Sequence, residues 1–245
     1  MRVLLLAAGY GTRLYPLTEK VPKALLKVKD ATLLDCIIRK VTSLGDSVAV
    51  DATVLISNNK FYSDFVAWKE RGNHKLEIIN DGSNSPAEKL GAIGDIHFAV
   101  SKFPEDDWLI VGTDNFFDWE LGDFTVYAQQ HRPYVTVGVY KVKALPDASR
   151  FGVVELDAQG RIVEFIEKPP RPARTTVAVC IYFFPKESLG NLDVFLRQME
   201  TADAAGKYIE WLVTRTSVYG QIASGRWLDV GTRSALQEAE KIGEV

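Results

Sequence analysis

Cysteine and histidine are scarce, at two and three in 245 residues. Cys36 and Cys180 stand in apolar surroundings with no metal-ligand spacing. Neither a zinc site nor a disulfide framework is expected, and both are read as buried, reduced thiols. His74, His97 and His131 are scattered, with no nucleophile beside any of them. Each is read as a surface or turn residue rather than a catalyst. No apolar run approaches the roughly 20 residues that span a bilayer. The apolar N-terminus runs at once into Gly9, short of a secretory leader, so a first strand is expected. The net charge of −3 argues against a surface that coats nucleic acid. A soluble, cytoplasmic protein without membrane or nucleic-acid partners is the expectation.

What is present is enough for a core. At 47% hydrophobic content, 245 residues can fill one α/β domain. Charge is unevenly distributed. Residues 1–30 hold Arg2, Arg13, Lys20, Lys23, Lys27 and Lys29 against Glu19 and Asp30, and the rest of the chain sums to −7. Such a local cationic patch suits a small polyanion such as a triphosphate, although on charge alone an ordinary solvated basic face explains it as well.

The first half alternates strand and helix patterns. Strands are expected at 3–7, 52–57, 76–80 and 108–111, and helices at 32–44, 62–71 and 91–103. That alternation predicts a mainly parallel sheet with helices on both faces. In the second half, strands are expected at 134–142, 176–184 and 218–223, and a hairpin joins 152–156 to 162–166. Helices are expected at 192–199, 208–213 and 234–242. No repeat or long linker interrupts the chain, so one domain is the simplest organisation.

Leu6-Ala7-Ala8-Gly9-Tyr10-Gly11-Thr12-Arg13-Leu14 puts two glycines directly after a buried strand. Backbone N–H groups in such a turn can approach phosphate oxygens with no side chain between. A plain strand-to-helix turn would read the same way. A dinucleotide fingerprint is unfavourable, because the third glycine is missing and Pro16 removes an N–H from the following segment. A Walker loop lacks its Gly-Lys-Ser/Thr. The remaining reading uses Arg13 and Lys23 as two cations beside a backbone nest that holds a triphosphate.

This stretch, with Pro16-Leu17-Thr18 and then Pro22-Lys23-Ala24-Leu25, resembles the signature of the sugar-phosphate nucleotidyltransferases. These include the glucose-1-phosphate thymidylyl- and uridylyltransferases and the mannose-1-phosphate guanylyltransferases. Three later motifs follow in the family's order: Thr113-Asp114-Asn115, Gly152-Val153-Val154 with Glu167-Lys168-Pro169, and Trp227-Leu228-Asp229-Val230-Gly231-Thr232.

The resemblance implies a single Rossmann-like three-layer domain with a mainly parallel mixed sheet. Its nucleotide-binding part would cover about residues 1–130 and its sugar-phosphate part about 131–232, with no C-terminal hexapeptide-repeat domain. It implies that Ala7, Ala8, Gly9, Gly11, Thr12 and Arg13 bind the nucleotide, with Asn80 replacing a base-reading Gln and Gly91 packing under the base. Gly152, Glu167, Lys168 and Tyr182 would bind the sugar phosphate, and Asp114 and Asp229 a Mg2+ ion. Arg13, Lys23 and Lys168 would carry the catalysis. The partners implied are a nucleoside triphosphate and a sugar 1-phosphate; exposed aromatics are compatible with a homo-oligomer.

Three departures from the family pattern stand out. Thr113 replaces a usual Gly and is expected to crowd the site. Val179-Cys180 replaces Thr or Ser followed by Gly, beside the expected sugar pocket. The 80–91 segment is longer and rich in Ser, Asn and Pro, and is expected to be mobile. Two other functions stay open on sequence: a cytidylyl or guanylyl enzyme acting on another sugar or alditol phosphate, and a non-catalytic nucleotide-sugar-binding regulator.

Overall fold

The computed structural model describes residues 1–199 and 203–242, the side chain of Asp46 excepted. Strand β1 (Arg2–Leu6) leads through the glycine loop to a short pair, β2 (Lys27–Val28) and β3 (Ala31–Thr32), and then to α1 (Leu33–Ser43). There follow β4 (Ala52–Ser57), α2 (Tyr62–Gly72), β5 (Glu77–Asn80), α3 (Gly91–Val100), β6 (Trp108–Gly112), β7 (Asn115–Phe117) and α4 (Leu121–Gln130). The second half adds β8 (Val135–Lys141), the short α5 (Leu145–Ala148), β9 (Gly152–Leu156), β10 (Ile162–Glu167) and β11 (Thr176–Phe184). It closes with α6 (Gly190–Gln198), α7 (Ala205–Val213), β12 (Val218–Ile222), β13 (Trp227–Asp229) and α8 (Arg233–Ile242).

The central sheet of nine strands runs β10-β9-β11-β6-β1-β4-β5, with β8 on β11 and β12 on β8. Strands β6, β1, β4 and β5 are parallel, as expected. Antiparallel β11 then joins them to the β9–β10 hairpin. Side-chain alternation along the strands creates two buried faces. Val3 and Leu5 of β1 point to the face covered by Leu34 and Ile37 of α1, Phe65 of α2 and Phe124 of α4. Leu4 points to the opposite face, against Ile93 and Ile96 of α3, Phe195 of α6 and Leu212 of α7. Each such fully buried side chain contributes about 1.5–3 kcal/mol. The result is a three-layer α/β fold.

Helix α4 and several short elements, strands β7 and β13 among them, were not expected from the sequence. Helix α4 has no side-chain N-cap and carries Thr, Val and aromatic residues, so local signals for it are weak. The β13–β7 pair is three residues long and 112 positions apart at Trp227 and Asn115, beyond any local pattern. A third cluster, with Leu33 and Cys36 of α1, Phe116, Val230 and Ala239 of α8, clamps this small pair to the body. Helix α1 is itself fixed by a reciprocal cap between Thr32 and Asp35, and Asp35 also accepts a 2.9 Å hydrogen bond from Trp68 Nε1. No helix of the described residues is long and apolar enough to cross a membrane.

Candidate active site

The C-terminal ends of β1 and β6 open into one cleft with two lobes, the usual place for a ligand in an open α/β sheet. The first lobe, of about 340 Å³, is lined by Leu6 to Arg13, Lys23, Gly91, Asp95, Thr113 and Asp114. The second, of about 250 Å³, is lined by Asn115, Gly152, Glu167, Lys168, Tyr182 and Asp229. Arg13, Ala92, Asp114 and Cys180 border both, so the lobes are continuous.

The glycine loop owes its shape to Gly11, whose φ of +63° is costly for a residue with a Cβ. Thr18 locks it by donating its hydroxyl to the Gly11 carbonyl at 2.6 Å. Lys23, opening the short 3-10 turn Lys23–Leu25, reaches across and places its Nζ 3.0 Å from Asp114 Oδ2. Gly91 opens α3 at φ +79° and lines the first lobe.

Asp114 and Asp229 are brought together by the β7–β13 pair. Asp229 is in register with Asn115, and the Val230 N–H donates to the Asp114 carbonyl at 2.9 Å. The buried Trp227 indole donates to Asn115 Oδ1 at 2.7 Å, while Asn115 Nδ2 donates to the carbonyls of Gly112 and Cys180. Asn115 thus ties its own strand to β6, β11 and β13, and with Trp227 it positions both carboxylates. Both residues belong to the Thr113-Asp114-Asn115 and Trp227–Thr232 motifs, but local sequence does not show that they bond each other.

Burial and the Asp114 charge push the Asp229 carboxyl up, with Lys23 and Arg13 opposing. Burial works against Asp114 too, but the Lys23 ammonium outweighs it and holds Asp114 below the usual carboxylate range. Among the described residues there is no cluster of three or more His, Cys, Asp or Glu side chains suited to a metal ion. Two hard carboxylates that disfavour each other's ionisation fit a divalent cation that completes its shell with phosphate oxygens and water.

In the second lobe, Glu167 is opposite Gly152 in the β9–β10 register, and the Lys168 N–H donates to the Phe151 carbonyl at 3.0 Å. Lys168 has a φ of +48°, unusual before a proline and for any residue with a side chain. Its Nζ lies 3.3 Å from Glu167 Oε1. A Cβ on Gly206 would overlap the Glu167 carboxylate, and one on Gly152 would overlap Phe165, so two glycines make room for this corner. Tyr182 is buried beside Cys180, and burial raises its hydroxyl well above the ordinary value.

Several expectations change. Asn80 does not line the cleft: its Nδ2 donates to Asn59 Oδ1, and its Oδ1 accepts from the Gly82 N–H, both at 2.8 Å. Thr113 does not crowd the site, because its hydroxyl turns back to the Leu6 carbonyl at 2.7 Å and ties β6 to β1. Val179 points into the opposite core face, leaving only Cys180 toward the cleft. Cys180 is therefore not in wholly apolar surroundings. Burial, then the charges of Asp114 and Asp229, push its thiol up, so it stays protonated. Within the 80–91 segment the Ser83 hydroxyl donates to Asp81 and the Asn84 N–H to Glu88. The three histidines stand outside the cleft: His74 stacks on Trp68, His131 packs on Tyr127 and Tyr219, and His97 contacts Asp193.

The chain is similar to known proteins along almost its whole length. The family model described as nucleotidyl transferase matches residues 2–244. The bifunctional protein GlmU of Methanocaldococcus jannaschii is 28% identical over 245 residues, covering 98% of this chain and 54% of that protein. The chain thus spans about half the length of that curated relative. A Bacillus anthracis structure described as a glucose-1-phosphate thymidylyltransferase in complex with sucrose has a TM-score of 0.83 at 21% identity, covering 99% of this chain and 94% of its own. A UDP-glucose pyrophosphorylase complexed with UDP-glucose gives 0.80 at 18% identity, with coverages of 98% and 97%. The two structural likenesses bear on the fold.

Proposed function

The chain belongs to the nucleotidyl transferase family, and we propose that it joins a nucleoside triphosphate to a sugar 1-phosphate, releasing pyrophosphate and a nucleotide-sugar. The observation that supports this most is the convergence, in one two-lobed cleft, of Arg13, Lys23, Asp114, Lys168 and Asp229. A first lobe that carries Arg13 and Lys23 beside the glycine turn and an acceptor lobe meet at a pair of carboxylates, which is the layout an in-line displacement at phosphorus needs.

In this reading a phosphate oxygen of the sugar 1-phosphate attacks the α-phosphorus. The new O–P bond forms as the bond to the bridging β-phosphate oxygen breaks, and pyrophosphate departs with that electron pair. The nucleophile is already ionised near neutral pH, so no general base is required, in keeping with the histidines lying elsewhere. Backbone N–H groups of the Gly9–Thr12 turn cradle the phosphates, and Arg13 and Lys23 neutralise the β- and γ-phosphates. Lys168 takes the incoming phosphate, Glu167 and Tyr182 accept and donate hydrogen bonds to sugar hydroxyls, and Gly91 packs beneath the base. Asp114 and Asp229 would hold Mg2+, which when bound offsets charge on the α-phosphate and the leaving group.

The finer proposal is a thymidylyl- or uridylyltransferase acting on glucose 1-phosphate. The test is pyrophosphate release across the nucleoside triphosphates and a set of sugar 1-phosphates, with Mg2+ and with a chelator. Metal-dependent turnover that needs both substrates is expected. Absence of turnover with every pair would overturn the reading, and preference for CTP or GTP would move the base assignment.

A further inference from the structure

Arg150 stands two residues before β9, and the acceptor lobe counts it among its lining groups. The β9–β10 hairpin brings it to the same rim as Lys168. Gly152 pairs with Glu167, and the next position is closed by the Lys168 N–H on the Phe151 carbonyl. Two cations 18 positions apart in the chain therefore flank one mouth.

Their circumstances differ. Lys168 Nζ lies 3.3 Å from Glu167, and Lys23 is paired with Asp114. Arg13 is shared with the nucleotide lobe. Arg150 is exposed and rests over the Phe151 ring at 5.1 Å, and its positive charge favours the ionised form of Asp229. It forms no side-chain hydrogen bond or close ion pair with the described residues. Among the described residues it thus lines the acceptor lobe with no carboxylate seated against it, as Arg13 does at the junction of the two lobes.

A phosphate monoester carrying close to two negative charges must approach a triphosphate carrying about four. Like-charge repulsion across a few ångströms is severe, and Lys168, already facing Glu167, offsets only part of it. A guanidinium adds a planar fork matched to two phosphate oxygens. Resting on the proposed function, we infer that Arg150 and Lys168 form a clamp for the phosphate of the acceptor, with Arg150 setting affinity for that dianion and contributing little to nucleotide binding.

The test uses Arg150→Ala and Arg150→Lys in the full chain, with α-D-glucose 1-phosphate and inorganic phosphate as calorimetric probes. Arg150→Ala should raise both dissociation constants about tenfold or more, with Arg150→Lys recovering part of the loss. In turnover assays the KM for the sugar phosphate should rise while that for the triphosphate stays within about twofold. Unchanged probe affinity in Arg150→Ala would overturn the clamp, as would an equal rise in both KM values. The binding arm needs no catalysis, so a protein that binds phosphate through Arg150 but never releases pyrophosphate would sink the proposed reaction and leave the clamp standing.

Discussion

Lys23 Nζ and Asp114 Oδ2 lie 3.0 Å apart across 91 positions of chain, and the ammonium is largely enclosed. The pair keeps an acidic group ionised at the junction of the two lobes. A triphosphate entering the first lobe offers Lys23 an alternative partner and frees Asp114 for a cation. Under the proposed reaction this exchange couples nucleotide binding to assembly of the metal site.

Replacing Asp114 or Asp229 by Asn should lower turnover on the order of 100-fold or more. Asn preserves shape, and at Asp229 it removes a charge that burial and Asp114 disfavour. Melting temperature should therefore hold or rise for Asp229→Asn, and fall for Asp114→Asn, which leaves the largely enclosed Lys23 ammonium without its partner. Pyrophosphate release and thermal unfolding check both halves; wild-type turnover in either variant contradicts the metal role.

Trp227→Phe removes the donor to Asn115 Oδ1 and leaves that buried oxygen without its indole partner. A destabilisation of about 1–3 kcal/mol is expected. Because the same bond holds β13 against β7, the residual activity should also fall at temperatures where the variant is fully folded. Loss of stability with normal turnover would limit the bond to a structural role.

Gly206→Ala drives a methyl group into the Glu167 carboxylate. That carboxylate ends a flexible side chain, so the protein should fold, but with Glu167 displaced. KM for the sugar phosphate is expected to rise while KM for the triphosphate does not. Equal effects on both would argue that Glu167 does not serve the acceptor.

Asp95, buried on α3, has its carboxyl pushed up to about 8 by burial and then by Asp81 and Asp203. The unfolded chain loses this proton near the ordinary value of 3.8, while the folded protein keeps it to about pH 8. Stability from this group is therefore complete at low pH, declines as pH rises through that window, and levels off above 8. Asp95→Asn should melt progressively higher relative to wild type from pH 5 to pH 8. A pH-independent difference would show that Asp95 titrates normally.

Much of the fold could be read locally. Strands β4 and β11 fall on the expected boundaries, because alternating or continuous apolar runs bounded by turn residues are local signals. The glycine loop, Lys23, Asp114, Glu167, Lys168 and Asp229 were legible as motifs. Asn80 was misplaced, since its amide partners, Asn59 and the Gly82 N–H, are set by how two loops meet. Arg150 carried no local mark, and Asp95 only the oddity of an acid on an apolar helical face.

The amino-acid order alone settled the layered α/β character, the glycine turn and the residue types available for phosphate and metal chemistry, because periodicity and backbone freedom act within a few residues. Only the tertiary structure decided which of those groups meet. The three-residue β7–β13 pair, the Trp227–Asn115 bond and the hairpin that sets Arg150 beside Lys168 are contacts between distant segments, and core packing rather than local preference holds them in place.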